Sequence, residues 1–457
     1  MIDIIFEGAQ IVDGTGAPAF TTDLAVVGSE IALLGDLTAR ESHVRVPCNG
    51  MVLAPGFFDA NASATVDWLA NPDLRGLLGQ GITTAIVGGC GVAGPAPGDL
   101  QKANLRLHAL PLATGRNVAA VREAVAGGAI GLALDLRHGY LDPGLLEAAR
   151  EGGATRLHVH LRDEGDELLA AVDEAIGLAR SGEFSVHIAH LKTQWKRNFG
   201  RVHQVLERID AARRSSIDVT VDVYPYVAVW MRLTDLLPAT LPKRNALALQ
   251  LSQPQRRAAL AIQLDVARRF AWRDLILAHV DDEFHAELLG LGFDEIARRR
   301  RLPPARAAVE LLAELGDQLG VFAFALDEDD IATILTADFA CIGTSAAPLP
   351  LENTGNIPNL VHPRAFGTTA RIFGRFVRQR GTLTLEEAVR RMTLLPAHIF
   401  GQKKRGRIAV GQIADVVVFD PETFVDTATY AIPRNRPTGL RDLFVSGSGR
   451  IRNGEFV

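Results

Sequence analysis

Residues 155–192 read TRLHVHLRDEGDELLAAVDEAIGLARSGEFSVHIAHLK. The stretch begins and ends in a short apolar run, TRLHVHL (155–161) and FSVHIAH (184–190), each the length of a buried strand. Between them Leu168, Leu169, Val172 and Ile176 recur at helical spacing, and Gly182 closes the helix. The same alternation extends in both directions. Before it lie VLAPGFFDA (52–60), ITTAIVG (82–88), NLRLHAL (104–110) and AIGLALDL (129–136); after it lie DVTVDVY (218–224) and DFACIG (338–343). Eight strand–helix repeats predict an α/β fold, a (β/α)8 barrel. Two more strand candidates, LILAHV (275–280) and VFAFAL (321–326), exceed the eight and are assigned to an insertion around residues 230–335.

The flanks have another texture. DIIFEGAQIVDG and DLAVVGSEIALLG near the start, and GRIAVGQIADVVVFDP and DLFVSGSGRIRNGEFV near the end, mix β-branched residues with glycine punctuation. They predict one small β-sandwich built from residues 1–52 and 403–457 around a barrel of residues 53–402. A chain of 457 residues, 47% hydrophobic and 22% charged, buries a large core as an ordinary globular protein does. Its net charge of -5 argues against nucleic acid or an anionic membrane as the main partner. The basic run Arg298–Arg301 precedes Pro303-Pro304 and reads as a solvated helix end. Three cysteines, Cys48, Cys90 and Cys341, imply a reducing compartment without a disulfide framework. The opening MIDIIFEGAQIVDG is acidic where a signal peptide is basic, and no apolar run reaches membrane-span length, so a cytoplasmic protein is expected.

In such a barrel, functional groups stand at the C-terminal ends of the strands. Cys90 follows strand two in VGGCG, His160 ends strand five, and His190 ends strand six. One thiolate and two imidazoles suit a zinc ion with a fourth position left for water or substrate. Singly, each has a plainer explanation, since a lone cysteine is as a rule a small buried hydrophobe and a lone histidine a satisfied polar group. Three at successive mouth positions favour the metal. By the two-residue period His158 lies one layer below His160, as core or support, and His187 points outward toward the helices. His108, on strand three, is a weaker candidate. Lys192 and Arg364 would suit a substrate carboxylate, against the alternative of two solvated surface charges. Tyr140, in RHGYLDP, either closes over a ligand or packs.

These segments resemble the amidohydrolase superfamily, and within it the D-aminoacylase (N-acyl-D-amino acid deacylase) family. The resemblance runs through GAQIVDGTGAPAF, APGFFDA, GITTAIVGGCG, HLRDEGDELLAAVDEAIGLAR, IAHLK, DVYPY, HPRAFGT, LTLEEAVRRMTLLPA and GRIAVGQIADVVVFDP. It implies that Cys90, His160 and His190 hold the tightly bound metal and that Lys192 and Arg364 bind the substrate's carboxylate. Two parts of the family pattern are missing. The strand-one His-x-His, which helps to hold a second metal, is Asn61 and Ser63 here, and the strand-eight Asp that acts as base is Ser345 in GTSA. The expectation is therefore a single zinc and hydrolysis of a C–N amide bond in an N-acyl amino acid or a related carboxylate, the D-configuration following from the resemblance alone. Asp59 and Asp222 are candidates to replace the lost base. The losses leave two other readings open: a catalytically silent ligand-binding or regulatory partner of an active paralogue, or a lyase using the metal as Lewis acid. A homo-oligomer or a complex with such a paralogue is compatible with either.

Overall fold

The apolar runs around residues 57–342 form two parallel sheets that meet edge to edge in a closed ring. The computed structural model describes the chain except residues 65–67, 70–73, 90–93, 104, 115–116, 138, 140, 183, 238–246, 248–250 and 354, with only the backbone of 181–182. Barrel strands one to three are Phe57–Ala62, Ile82–Val87 and His108–Pro111; strands four to eight are Leu132–Asp135, Arg156–His160, Ser185–Ile188, Val219–Val223 and Ala340–Ile342. Parallel bridges Ala113↔Leu132 and Ala62↔Ala346 close the ring, with Ser345 N donating to the Asn61 carbonyl at 2.8 Å and Ser63 N to that of Ala346 at 3.0 Å. Apart from strand three, which is only partly buried, the strands are buried along almost their whole length because helices cover the outside. The lower interior is filled by Ala60, Ile86, Leu112, Ala133 and Cys341, and plugged by Ile399 and Phe400 after the helix Leu394–Ile399.

The two extra strand candidates lie between strands seven and eight. Leu275–His279 and Gly320–Ala323 join Val229–Arg232 in a three-stranded antiparallel sheet with its own core. The basic run ends the helix Phe293–Arg300 there, and its arginines pair with Glu295 and Glu314.

The two ends of the chain form one nine-stranded sheet. Its first strand, Ile2–Ile11, pairs with Ser42–Pro47 as far as Glu7, then with Val52–Pro55 through Gln10 and Ile11. The switch occurs at a bulge on Gly8, whose φ of 62° and closeness to Asn49 leave no room for a side chain. Bent there, the sheet folds over on itself. Phe6 of the first strand meets Phe444 of Leu440–Val445 at 5.1 Å between ring centroids, although two strands lie between them, a separation of roughly 14 Å if flat. The apolar run at 52–60 is thus two strands in two sheets. It breaks at Gly56, where a Cβ would collide with Thr83. No helix among the described residues is long and apolar enough to cross a membrane.

Candidate active site at the barrel mouth

Strict alternation from His187 would send the His190 side chain out toward the helices. Strand six ends at Ile188, and His190 takes a φ of 39°. Its neighbours are fixed: Ala189 N donates to the Val159 carbonyl at 2.9 Å and Leu191 N to that of Asp222 at 2.8 Å. This left-handed residue, costly for a side chain with a Cβ, turns the imidazole inward. It meets His160 edge to face at 4.4 Å between centroids. Burial holds the His160 imidazole well below its ordinary pKa, so it is neutral, the form that binds metals, and its Nδ1 is buried with no hydrogen-bond partner among the described residues.

Glu164, four residues beyond His160, brings a carboxylate to the pair. Its Oε1 lies 2.9 Å from His190 Nδ1 and 3.9 Å from His160 Nε2, while Gln194 Nε2 donates to its Oε2 at 2.6 Å. Burial alone would raise its pKa; the Lys192 charge and the His190 contact outweigh this and hold it well below the usual carboxylate range. The residue stands inside the motif HLRDEGD, and its signal was the spacing from His160; sequence reasoning passed over it.

Lys192 does reach the mouth, but not as an open cation. Its ammonium touches Glu164 Oε1 and lies 2.7 Å from His190 Nδ1 and 2.8 Å from the His190 carbonyl. Arg364 begins the helix Arg364–Arg371 and stacks on Tyr224, with Cζ 4.6 Å from the ring centroid. Lys192 Nζ addresses the same ring at 5.8 Å. Arg364 Nε is buried with no hydrogen-bond partner among the described residues. His362 braces this arginine: its Nδ1 accepts from Arg364 N at 3.1 Å, and its Nε2 donates to the Ala228 carbonyl at 2.9 Å.

Cys90 and Tyr140 lie outside the described residues. Asn61 and Ser345 are buried where strands one and eight meet, Ser345 with a φ of 48°. His187 corrects the alternation argument. Parallel pairing aligns it with His158, so both face the interior, where their rings lie 5.0 Å apart. Counting back from His190 failed because the left-handed turn falls between them. His108 stands at the opposite end of its strand, 3.2 Å from Asp415 of the terminal sheet. Asp59 is locked rather than free: its carboxylate accepts from Thr344 N at 2.8 Å, Thr344 Oγ1 at 2.6 Å and Asn61 N at 3.0 Å. Asp222 is bound to His187.

Two imidazoles, at least one of them neutral, and a carboxylate whose donor atoms all lie within 4.8 Å form a set that fits a divalent metal of nitrogen and oxygen preference. Relatives bear on this site. The chain is 30% identical to the N-acyl-D-glutamate deacylase of Alcaligenes xylosoxydans xylosoxydans, over 98% of this chain and 93% of that protein, and 30% identical to the D-aminoacylase of the same organism over 98% and 94%. The chain belongs to the amidohydrolase family, in its N-acyl-D-amino acid deacylase group. The amidohydrolase family profile itself matches residues 285–441. Among solved amidohydrolases, the N-acyl-D-glutamate deacylase of Bordetella bronchiseptica, complexed with zinc and a phosphonate mimic of the tetrahedral intermediate, superposes with a TM-score of 0.79 at 27% identity, covering 98% of this chain and 96% of that one. A D-aminoacylase studied for one-metal activation and second-metal attenuation of its binuclear centre superposes at 0.80 and 27%, covering 100% and 98%.

Proposed function

We propose that this amidohydrolase cleaves the amide bond of an N-acyl amino acid, using one metal ion at the barrel mouth. The observation that carries the reading is the convergence of His160 and His190 beside Tyr224, the ring that Lys192 and Arg364 both address. His160, His190 and the Cys90 thiolate would hold the ion. Zinc in such a site supplies Lewis-acid polarisation of the scissile carbonyl and acidifies water to near-neutral pKa. Arg364 offers a buried N–H to the substrate carboxylate, and Lys192 joins it by exchanging one internal contact for the substrate. Glu164, beside His190 and His160, is the carboxylate that takes over from the missing strand-eight base. As water attacks the carbonyl carbon, Glu164 takes its proton and passes it to the amine nitrogen as the C–N bond breaks. The deacylase relatives support an N-acyl-D-amino acid as the substrate class.

The test compares metal content and turnover of N-acetyl-D-amino acids in the protein and in Cys90→Ala and His190→Ala. Each variant is expected to lose one ion per chain and all turnover. Hydrolysis that survives both substitutions and chelation would overturn the proposal.

A further inference from the structure

The geometry points to a second, separate metal site one layer below the mouth, held by His158, His187 and Asp222. The three come from strands five, six and seven, all lie buried, and their donor atoms fall within 4.8 Å of one another. His158 stands two residues before His160 on strand five, about 7 Å deeper, and pairs in register with His187 of strand six.

The polar accounting of this layer does not close with hydrogen bonds. The His158 ring has a weak contact with the Ala60 backbone, but neither of its nitrogens meets a partner in full hydrogen-bond geometry among the described residues, and neither does Asp222 Oδ1. Buried polar groups left unmatched are costly, and gathering His158 and Asp222 Oδ1 in one layer is a concentration that apolar packing would avoid. His187 is already posed as a ligand. Its Nδ1 lies 2.8 Å from Thr220 Oγ1, and that hydroxyl lies 3.5 Å from the Val186 carbonyl. With the hydroxyl proton on Val186, Thr220 accepts from Nδ1–H, the supporting contact that ligand histidines typically have. The lone pair of His187 Nε2 then faces Asp222 Oδ2 at 3.1 Å. In that tautomer a cation between the two acceptors reconciles them; in the other, Nε2–H donates to Asp222 and Thr220 donates to Nδ1. The spacing is close to the ~3.3 Å edge of a tetrahedron built on zinc–nitrogen bonds of about 2.0–2.1 Å.

Space is kept for it. A Cβ on Gly343 would stand 2.5 Å from Asp222 Oδ1, and one on Gly89 would collide with the Asn61 amide and come 3.1 Å from His158 Cε1. Asn61 therefore borders the same space. Phe400 seals the layer from below, 5.2 Å from His187. Two imidazoles and a carboxylate select a zinc-class divalent ion. Sealed from below and lying under the mouth, the ion serves the fold by pinning three adjacent strands.

The competing reading is an ordinary proton-sharing His187–Asp222 pair with no ion. The probe is Co2+, supplied during expression so that it enters as the chain folds. In Cys90→Ala/His190→Ala protein, which lacks the mouth site, about one Co2+ per chain is expected after gel filtration. Its visible d–d bands should come without thiolate-to-cobalt charge transfer. Adding His158→Gln or, independently, Asp222→Asn should abolish those bands while far-UV circular dichroism shows folded protein. A folded mouth-deficient variant without cobalt, or with cobalt indifferent to both further substitutions, overturns the site. Neither outcome touches the proposed hydrolysis, which depends on the mouth residues alone.

Discussion

At the scale of single residues, the mouth is governed by how buried charges are matched. Glu164 and Lys192 are each less than one-tenth exposed and neutralise one another. Removing one leaves the other as an uncompensated buried charge, so Glu164→Gln should destabilise by about 3–5 kcal/mol, measured by urea unfolding. The same substitution should lower kcat by roughly 10²–10⁴-fold if Glu164 carries the proton. Arg364 predicts a different signature. A charge-assisted hydrogen bond to a substrate carboxylate is worth about 1.5–3 kcal/mol, so Arg364→Met should raise KM by roughly 10–100-fold with kcat nearly unchanged. An N-acyl amine lacking the carboxylate should be turned over equally poorly by both proteins, and a variant affecting the two substrates alike would remove Arg364 from the binding role.

At the scale of elements, the Asp59 carboxylate adds side-chain bonds to the backbone bridge between strands one and eight. Burial pushes the Asp59 pKa up to about 6, against the opposing hydrogen bonds from Thr344 and Asn61. An unfolded aspartate titrates near 3.9. Between roughly pH 4 and 6 the folded state therefore holds a proton that the unfolded state has released, and stability falls with rising pH through that window, by about 3 kcal/mol in all. In Asp59→Asn this component should vanish, so the difference between the two stability–pH curves should be a step centred near pH 5; parallel curves would refute it. The eight strands themselves were legible because each lies in a short apolar run between turn or helical residues. The insertion was legible because its strands exceeded eight. What could not be read was local: the break at Gly56, where one apolar run serves two sheets, and the left-handed His190, which resets the face count. Glu164 was visible in sequence but has no meaning there until strand five and its following turn bring it back to His160.

At the scale of the whole molecule, barrel and terminal sheet share a core. Phe57 of strand one, Phe373, and Phe419 and Phe424 near the chain's end stack at 4.9–6.2 Å. Asp415 of the terminal region meets His108 at 3.2 Å and also contacts Arg405. Unfolding should consequently be cooperative across this boundary. Phe419→Ala is expected to cost about 3–5 kcal/mol and to shift one calorimetric transition downward. Separation into two transitions would show that the units are energetically independent.

The sheet that joins the two ends also sets a timetable. Val52 pairs with Phe419, so the inner edge of the N-terminal strands waits for a partner some 360 residues downstream. At 5–20 residues per second that is roughly 20–70 s of translation. Until then the apolar strand Val52–Pro55 lacks the neighbour that covers its edge in the native sheet. The ribosome, and whatever shields nascent chains beside it, is thus the first environment to which this fold is adapted.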